Sequence, residues 1–348
     1  MTTSQPDFLL NRPGALIAAV PAVLGFTPEK SLVLVTVDRG ELGAVMRIDL
    51  TPEMADTVDR VAEVAAAARP DAAIAVIVDA EGASCPMCAE EYRELSRALA
   101  DVLALQDITL IAVHVVDRIA AGGRWHCADM CGERGTVDDP SSSPLAMAAV
   151  LDGRRLYQRR EDLQQVISQT DTARAQRLAR RIRRRLKARG ETDQIAPRRD
   201  VEFAMDAAVK SRDGSELSDA DVAELACGLA DVNVRDTLFA LAVGERGAEA
   251  ETLWATLSRV LPAPWRLEAL VLLAFSAYCR GDGPLAGVAL DAALRCDCEH
   301  RMASMLDTAL QSGMRPEHIR ELAVSGYRIA ARLGVTLPPR KMFGRRAG

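Results

Sequence analysis

The chain has 348 residues, 49% apolar and 26% charged, with a formal net charge of −6. Such a composition excludes disorder as the default state and leaves enough apolar material for a core in more than one domain. The acidic balance also argues against a surface built throughout for nucleic acid.

The first element is the apolar stretch Gly14 to Phe26, which contains Pro21 and is too short to cross a bilayer. The segment ahead of it lacks a convincing signal-cleavage pattern, so a cytoplasmic protein with no membrane partner is expected. Pro21 and Gly25 read as the turn out of a first helix. Ser31 then starts a strand through Val37, with its hydroxyl satisfied locally. Asp38-Arg39-Gly40 makes a hairpin turn, after which Leu42, Ala44, Met46, Ile48 and Leu50 alternate as a second strand. Thr51-Pro52-Glu53 supplies a cap, a helix-opening proline and an early acid for a helix to about Ala68. Strands over Ala73–Val78 and Ile108–Val116 enclose a helix from Ala89 to about Ala104. The order predicts a mixed, mostly parallel sheet in an N-terminal α/β domain over residues 1–153, with the first hairpin strand antiparallel at its side.

Eight cysteines fall largely in tight pairs, which favours metal or thiol chemistry over a disulfide framework. Cys85-Pro86-Met87-Cys88 follows one strand, and His126-Cys127-Ala128-Asp129-Met130-Cys131 follows the next. If those strands are parallel neighbours, both loops leave the sheet at one edge, and Cys85, Cys88, Cys127 and Cys131 converge as ligands of a structural zinc ion. His126 is a substitute ligand. Two other readings stay open: a dithiol at Cys85 and Cys88, and unlinked cysteines. The first of these resembles the redox pair of glutaredoxin-type proteins, which also opens a helix after a strand. Asp49, Asp79 and Asp117 end three strands and would suit a cation-binding enzyme site, although turn-forming aspartates are common there. No P-loop, dinucleotide fingerprint or nucleophile elbow is present, which argues against an enzyme. His114 lies inside a strand and reads as a core residue.

From Arg154 the chain becomes arginine-rich, and residues 154–215 are expected as a helical connector. Asp171 to Arg189 carries nine basic residues and one acid, with Leu178, Ile182 and Leu186 on one stripe. Arg180, Arg181, Arg184 and Arg185 would be the residues to meet nucleic acid. Interleaved aromatics for base stacking are absent, so a solvated helix is preferred over that partner. Residues 216–337 read as an all-α, tetratricopeptide-like domain, broken at Gly244, Pro262-Ala-Pro264, Gly281-Asp-Gly283 and Gly313. Leu270, Leu273, Ala274, Ala277, Gly281, Ala286, Leu290 and Ala293 fall at the spacing of that repeat, with Cys298 where it usually has proline. Such a surface is expected to hold a protein partner, making the chain a zinc-stabilised scaffold. Cys296, Cys298 and His300 are too compact to close a metal site. Residues 338–348 form a basic tail.

The opening from Arg12-Pro-Gly-Ala-Leu to Lys30-Ser-Leu-Val-Leu34, the Met46-Arg-Ile-Asp-Leu50 strand, Gly123-Arg-Trp125, and Arg280-Gly-Asp-Gly-Pro to Leu294 resemble an actinobacterial family catalogued as domain of unknown function 4192. The resemblance runs over most of the chain and implies no activity, substrate or catalytic residue. Members of that family place cysteines after the tryptophan, often as adjacent Cys-Cys-Pro, which this chain lacks.

Overall fold

The computed structural model describes residues 12–51, 54–67, 69–129, 131–151, 156–169, 171–189, 196–212 and 214–341. The helix opening expected at Pro52-Glu53 and most of the basic tail, from residue 342, lie outside the described residues. The chain divides into two compact units, Met1–Leu163 and Gln164–Gly348.

Helix α1 (Pro13–Leu24) begins the first unit with proline in its first turn and ends on Gly25, whose φ of 76° is the left-handed cap that glycine adopts without strain. Pro21, expected in the turn, lies inside α1 instead. Strands β1 (Ser31–Asp38) and β2 (Glu41–Asp49) form the expected hairpin. Both of its turn residues, Arg39 and Gly40, have positive φ, the backbone that matches strand twist. Then come α2 (Met54–Ala66), β3 (Ala72–Val78), α3 (Pro86–Ala104), β4 (Thr109–Val116), β5 (Arg124–Cys127), β6 (Arg134–Thr136), α4 (Pro144–Leu151) and, across the unit boundary, α5 (Arg160–Gln165).

The six strands make a mixed sheet in the order β2-β1-β3-β4-β5-β6. Its parallel share is smaller than expected: β3–β4 is the parallel pair, and the other pairings are antiparallel. The reason is where β1 sits. It was expected beside a parallel core, but it is inserted between β2 and β3, paired antiparallel to both. Strands β1 and β3 are consequently covered on both faces, and β3 is buried at every residue. This explains their unbroken apolar runs. Leu32, Leu34, Ala73, Ala75, Ile77, Val113 and Val115 face Val58, Val61, Ala62 and Ala65 of α2 and Tyr92, Leu99 and Leu103 of α3. Each large aliphatic side chain buried there contributes about 1.5–3 kcal/mol.

The second unit is helical: α6 (Thr172–Ala188), α7 (Ala196–Arg212), α8 (Asp219–Leu229), α9 (Val232–Leu238), α10 (Gly247–Val260), α11 (Arg266–Arg280), α12 (Gly283–Cys296), α13 (Arg301–Gln311) and α14 (Pro316–Leu333). Ser218 and Asp221 form a reciprocal capping box at the start of α8. Helix α11 is the axis of this unit, buried from Ala269 to Cys279. It meets α12 through the small and aliphatic residues singled out by spacing. Leu270, Leu273, Ala277, Ala286, Leu290 and Ala293 are all fully buried, and Gly281 turns the chain between the two helices at a φ of 82°.

Candidate functional site

Residues Ser31 with Asp49, Ser31 with Val78, and Val78 with Val116 are register partners, so one edge of the sheet gathers Asp49, Ser31, Asp79 and Asp117. The three carboxylates do not converge there. Asp49 pairs with Arg47. Asp117 accepts the Arg124 backbone N–H at 2.8 Å and lies 3.1 Å from the Arg118 guanidinium. Asp79 accepts the Tyr92 hydroxyl at 2.5 Å and the Glu81 N–H at 3.0 Å. Each is thus engaged by partners of its own. Ser31 is satisfied as the sequence implied, donating to the Glu29 carbonyl at 2.6 Å and accepting from Arg47 at 2.8 Å.

The same edge carries the first cysteine pair. After β3 the chain turns tightly over the Asp79–Tyr92 contact. A side chain at Gly82 would come within 2.6 Å of the Asp79 carboxylate, so only glycine fits. Cys85 is the extended N-cap residue of α3 and Pro86 its first helical residue. The helix therefore starts three residues earlier than periodicity indicated, with both cysteines in its first turn. The N–H and thiol of Cys88, followed by the N–H of Met87, hold the Cys85 thiol below its ordinary pKa against the opposing influence of Glu91. Cys88 is shifted the other way, chiefly by its hydrogen bond to Cys85.

The second pair lies elsewhere, because β5 folds back along β4. Cys127 is the register partner of His114, inside β4, instead of standing on the loop at the carboxyl edge. The Ala128 N–H donates to the Val113 carbonyl at 2.9 Å and the Cys127 N–H to the Glu133 carbonyl at 3.0 Å, closing the β5–β6 hairpin. Its turn is shaped by Asp129, which accepts the Cys131 N–H at 3.0 Å, and by Gly132 at a φ of 93°. Ligand atoms of Cys127, Cys131 and Glu133 lie within 4.8 Å of one another, the one such group of three or more among the described residues. Cys85 and Cys88 are outside it. His126 alternates with Cys127 along β5 and points to the other face of the sheet.

Burial pushes the Cys127 thiol up to about 12, with the Cys131 thiol adding to the effect. His114 is 3% exposed, as expected of a core residue, and burial brings its pKa down to about 4. Its Nδ1 lies 3.7 Å from the Cys127 sulfur, and its ring meets Trp125 edge-on at 5.1 Å. Sequence reasoning missed two members of this neighbourhood. Glu133 carried a signal in its spacing, two residues beyond Cys131. The contact with His114 carried none, because it depends on the pairing of β4 with β5.

The chain is matched by the family model described as Domain of unknown function (DUF4192) over residues 13–317. The chain belongs to the DUF4192 family. The DUF4192 match therefore spans the sheet, both cysteine pairs and the helical unit through the start of α14. No curated protein and no solved structure matches the chain significantly.

In the helical unit of this DUF4192 chain, α6 buries Leu178 and Ile182. Arg174 pairs with Asp219 at 2.9 Å, Arg185 with Glu224, and Arg183 lies over the Trp265 ring at 5.6 Å. Arg180, Arg181 and Arg184 are exposed. His300 accepts the Ala303 N–H at 3.2 Å and so caps α13, while Cys298 is exposed. No described helix is long and apolar enough to cross a membrane.

Proposed function

We propose that the α/β unit carries a zinc ion that fixes the β5–β6 hairpin, and that the helical unit serves as a protein-interaction module, so that the chain works as a scaffold. The observation carrying the metal half is the Cys127–Cys131–Glu133 group. Two thiolates and a carboxylate are a donor set that suits zinc. Tetrahedral zinc holds a sulfur and an imidazole nitrogen about 3.6 Å apart. The 3.7 Å between Cys127 and His114 supports His114 as the residue that closes the fourth position after a small side-chain movement. Its low pKa favours the neutral imidazole that metals require. A metal would also displace the proton that burial keeps on Cys127. The scaffold half is supported by successive helices packed on their neighbours, with Val232, Met305, Met314 and Leu322 exposed on the unit's surface.

Elemental analysis of the purified chain tests the metal reading. About one zinc per chain is expected, retained in Cys85→Ser and lost in Cys127→Ser and Cys131→Ser. Metal-free unmutated protein would sink this reading. Loss of zinc from Cys85→Ser as well would instead favour the four-cysteine ligand set.

A further inference from the structure

We propose that Cys85 and Cys88 form a dithiol that exchanges with disulfide substrates, Cys85 attacking and Cys88 resolving. The inference does not depend on the metal reading, since these residues lie outside the Cys127–Cys131–Glu133 group. It rests first on placement. Cys85 is the N-cap of α3 and Cys88 its third helical residue, the two positions whose side chains meet across the first turn of a helix. Two sulfurs so placed are within reach of a bond. Both side chains are half-buried, neither sealed in the core nor held by a third ligand among the described residues.

The surroundings then distinguish the two thiols. Cys85, as the N-cap, stands at the end of α3 where the first-turn N–H groups lack helix partners, a position that stabilises a thiolate. Cys88 packs against the core beneath α3, near Tyr92 and Asp79. The lowered pKa of Cys85 and the raised pKa of Cys88 agree with that asymmetry. Met87, between them, is 78% exposed and gives an incoming substrate an apolar contact beside the attacking sulfur. Gly82 and the Asp79–Tyr92 contact fix the turn that presents the pair.

The chemistry balances with a disulfide as oxidant. The Cys85 thiolate attacks one sulfur of the substrate, forming a mixed disulfide. The departing sulfur leaves as a thiolate and takes a proton from water. Cys88 then gives up its proton to solvent and attacks the Cys85 sulfur, forming the Cys85–Cys88 disulfide and releasing the second substrate thiol. Two protein thiols are oxidised by two electrons, and one substrate disulfide is reduced to two thiols. Run in reverse, the oxidised pair forms a disulfide in a dithiol substrate.

The test is reaction of the full chain with glutathione disulfide, quenched by alkylation and mapped peptide by peptide so that the other cysteines do not confuse the result. The unmutated chain is expected to form a Cys85–Cys88 disulfide. Cys88→Ala, with Cys88→Ser as a second variant should alanine loosen the core, is expected to accumulate glutathione on Cys85. That reaction should run roughly tenfold faster than capture of glutathione by Cys88 in Cys85→Ala. Reduction of insulin disulfides by the dithiol would identify proteins as substrates, and reaction with glutathione disulfide alone would identify low-mass ones. Equal rates in the two single variants, or no Cys85–Cys88 disulfide in the unmutated chain, would overturn the proposal. Zinc content read on the same samples separates the two ideas. Metal lost from Cys85→Ala would overturn the dithiol, whereas absence of metal from every sample leaves the exchange result to stand alone.

Discussion

Asp79 and Tyr92 show how one side-chain contact supports the first cysteine pair. Burial by itself would raise the Asp79 pKa, but hydrogen bonds from the Tyr92 hydroxyl and from the N–H groups of Gly82 and Glu81 outweigh it and leave the pKa lowered. The folded value lies below the unfolded one, so this carboxylate contributes stability in full above about pH 4. That contribution is lost as pH falls through the folded value. Thermal unfolding of the unmutated chain beside Asp79→Asn is therefore expected to differ at neutral pH and to converge under acid conditions. A difference independent of pH would refute the assignment. Tyr92→Phe keeps the ring in the core beneath α3 but deletes the donor to a carboxylate, which should cost about 2 kcal/mol. Denaturant unfolding would report that loss.

Between elements, the helical unit is joined by contacts of two kinds. Arg189, at the end of α6, reaches both oxygens of the Asp200 carboxylate on α7 at 2.7 Å and Glu224 of α8 at 2.7 Å. The Asp200 side chain is only 7% exposed, so Arg189→Leu leaves a buried carboxylate without its main partner. A loss of about 3 kcal/mol is expected in denaturant unfolding, with much of it recovered when Asp200→Leu is added. Gly326 on α14 represents the second kind. A side chain there would come within 2.8 Å of the Asp236 carbonyl and 2.9 Å of Ala240, so Gly326→Ala should cost about 1–3 kcal/mol by overpacking. The sequence disclosed the elements with strong local signals: the Arg39-Gly40 hairpin, β3 and β4 as β-branched runs, and the α11–α12 pair by its small residues. It did not disclose β5 or β6. Arg-Trp-His-Cys and Arg-Gly-Thr are too short to show alternation, and such strands exist because β4 offers them a ladder. The site divided the same way. Spacing marked Cys127 and Cys131 as a pair, but their separation from Cys85 and Cys88 follows from the reversal at β5, a tertiary event.

Across the whole molecule, sites and framework are unevenly distributed. The thiol pair, the Cys127–Cys131–Glu133 group and the sheet belong to residues before Leu163, whereas the unit that follows is built of helices with its own core around α11. A zinc ion at the β5–β6 hairpin would hold a turn whose flanking strands are four and three residues long, too short to persist on their own ladder alone. Its removal should therefore act locally. Treating the zinc-loaded chain with a chelator is expected to speed amide hydrogen exchange along Arg124–Cys127, at Gly135 and Val137, and at Val115 and Asp117, whose N–H groups face β5 whereas those of His114 and Val116 face β3. Exchange in β1 and β3, buried on both faces, should keep its original rate, as should exchange along α11. Acceleration extending along β1, β3 and α11 would mean that the ion supports the fold at large and would refute a role confined to the hairpin. Unchanged exchange at the hairpin itself would show that the metal, though bound, does not hold β5 and β6 in place.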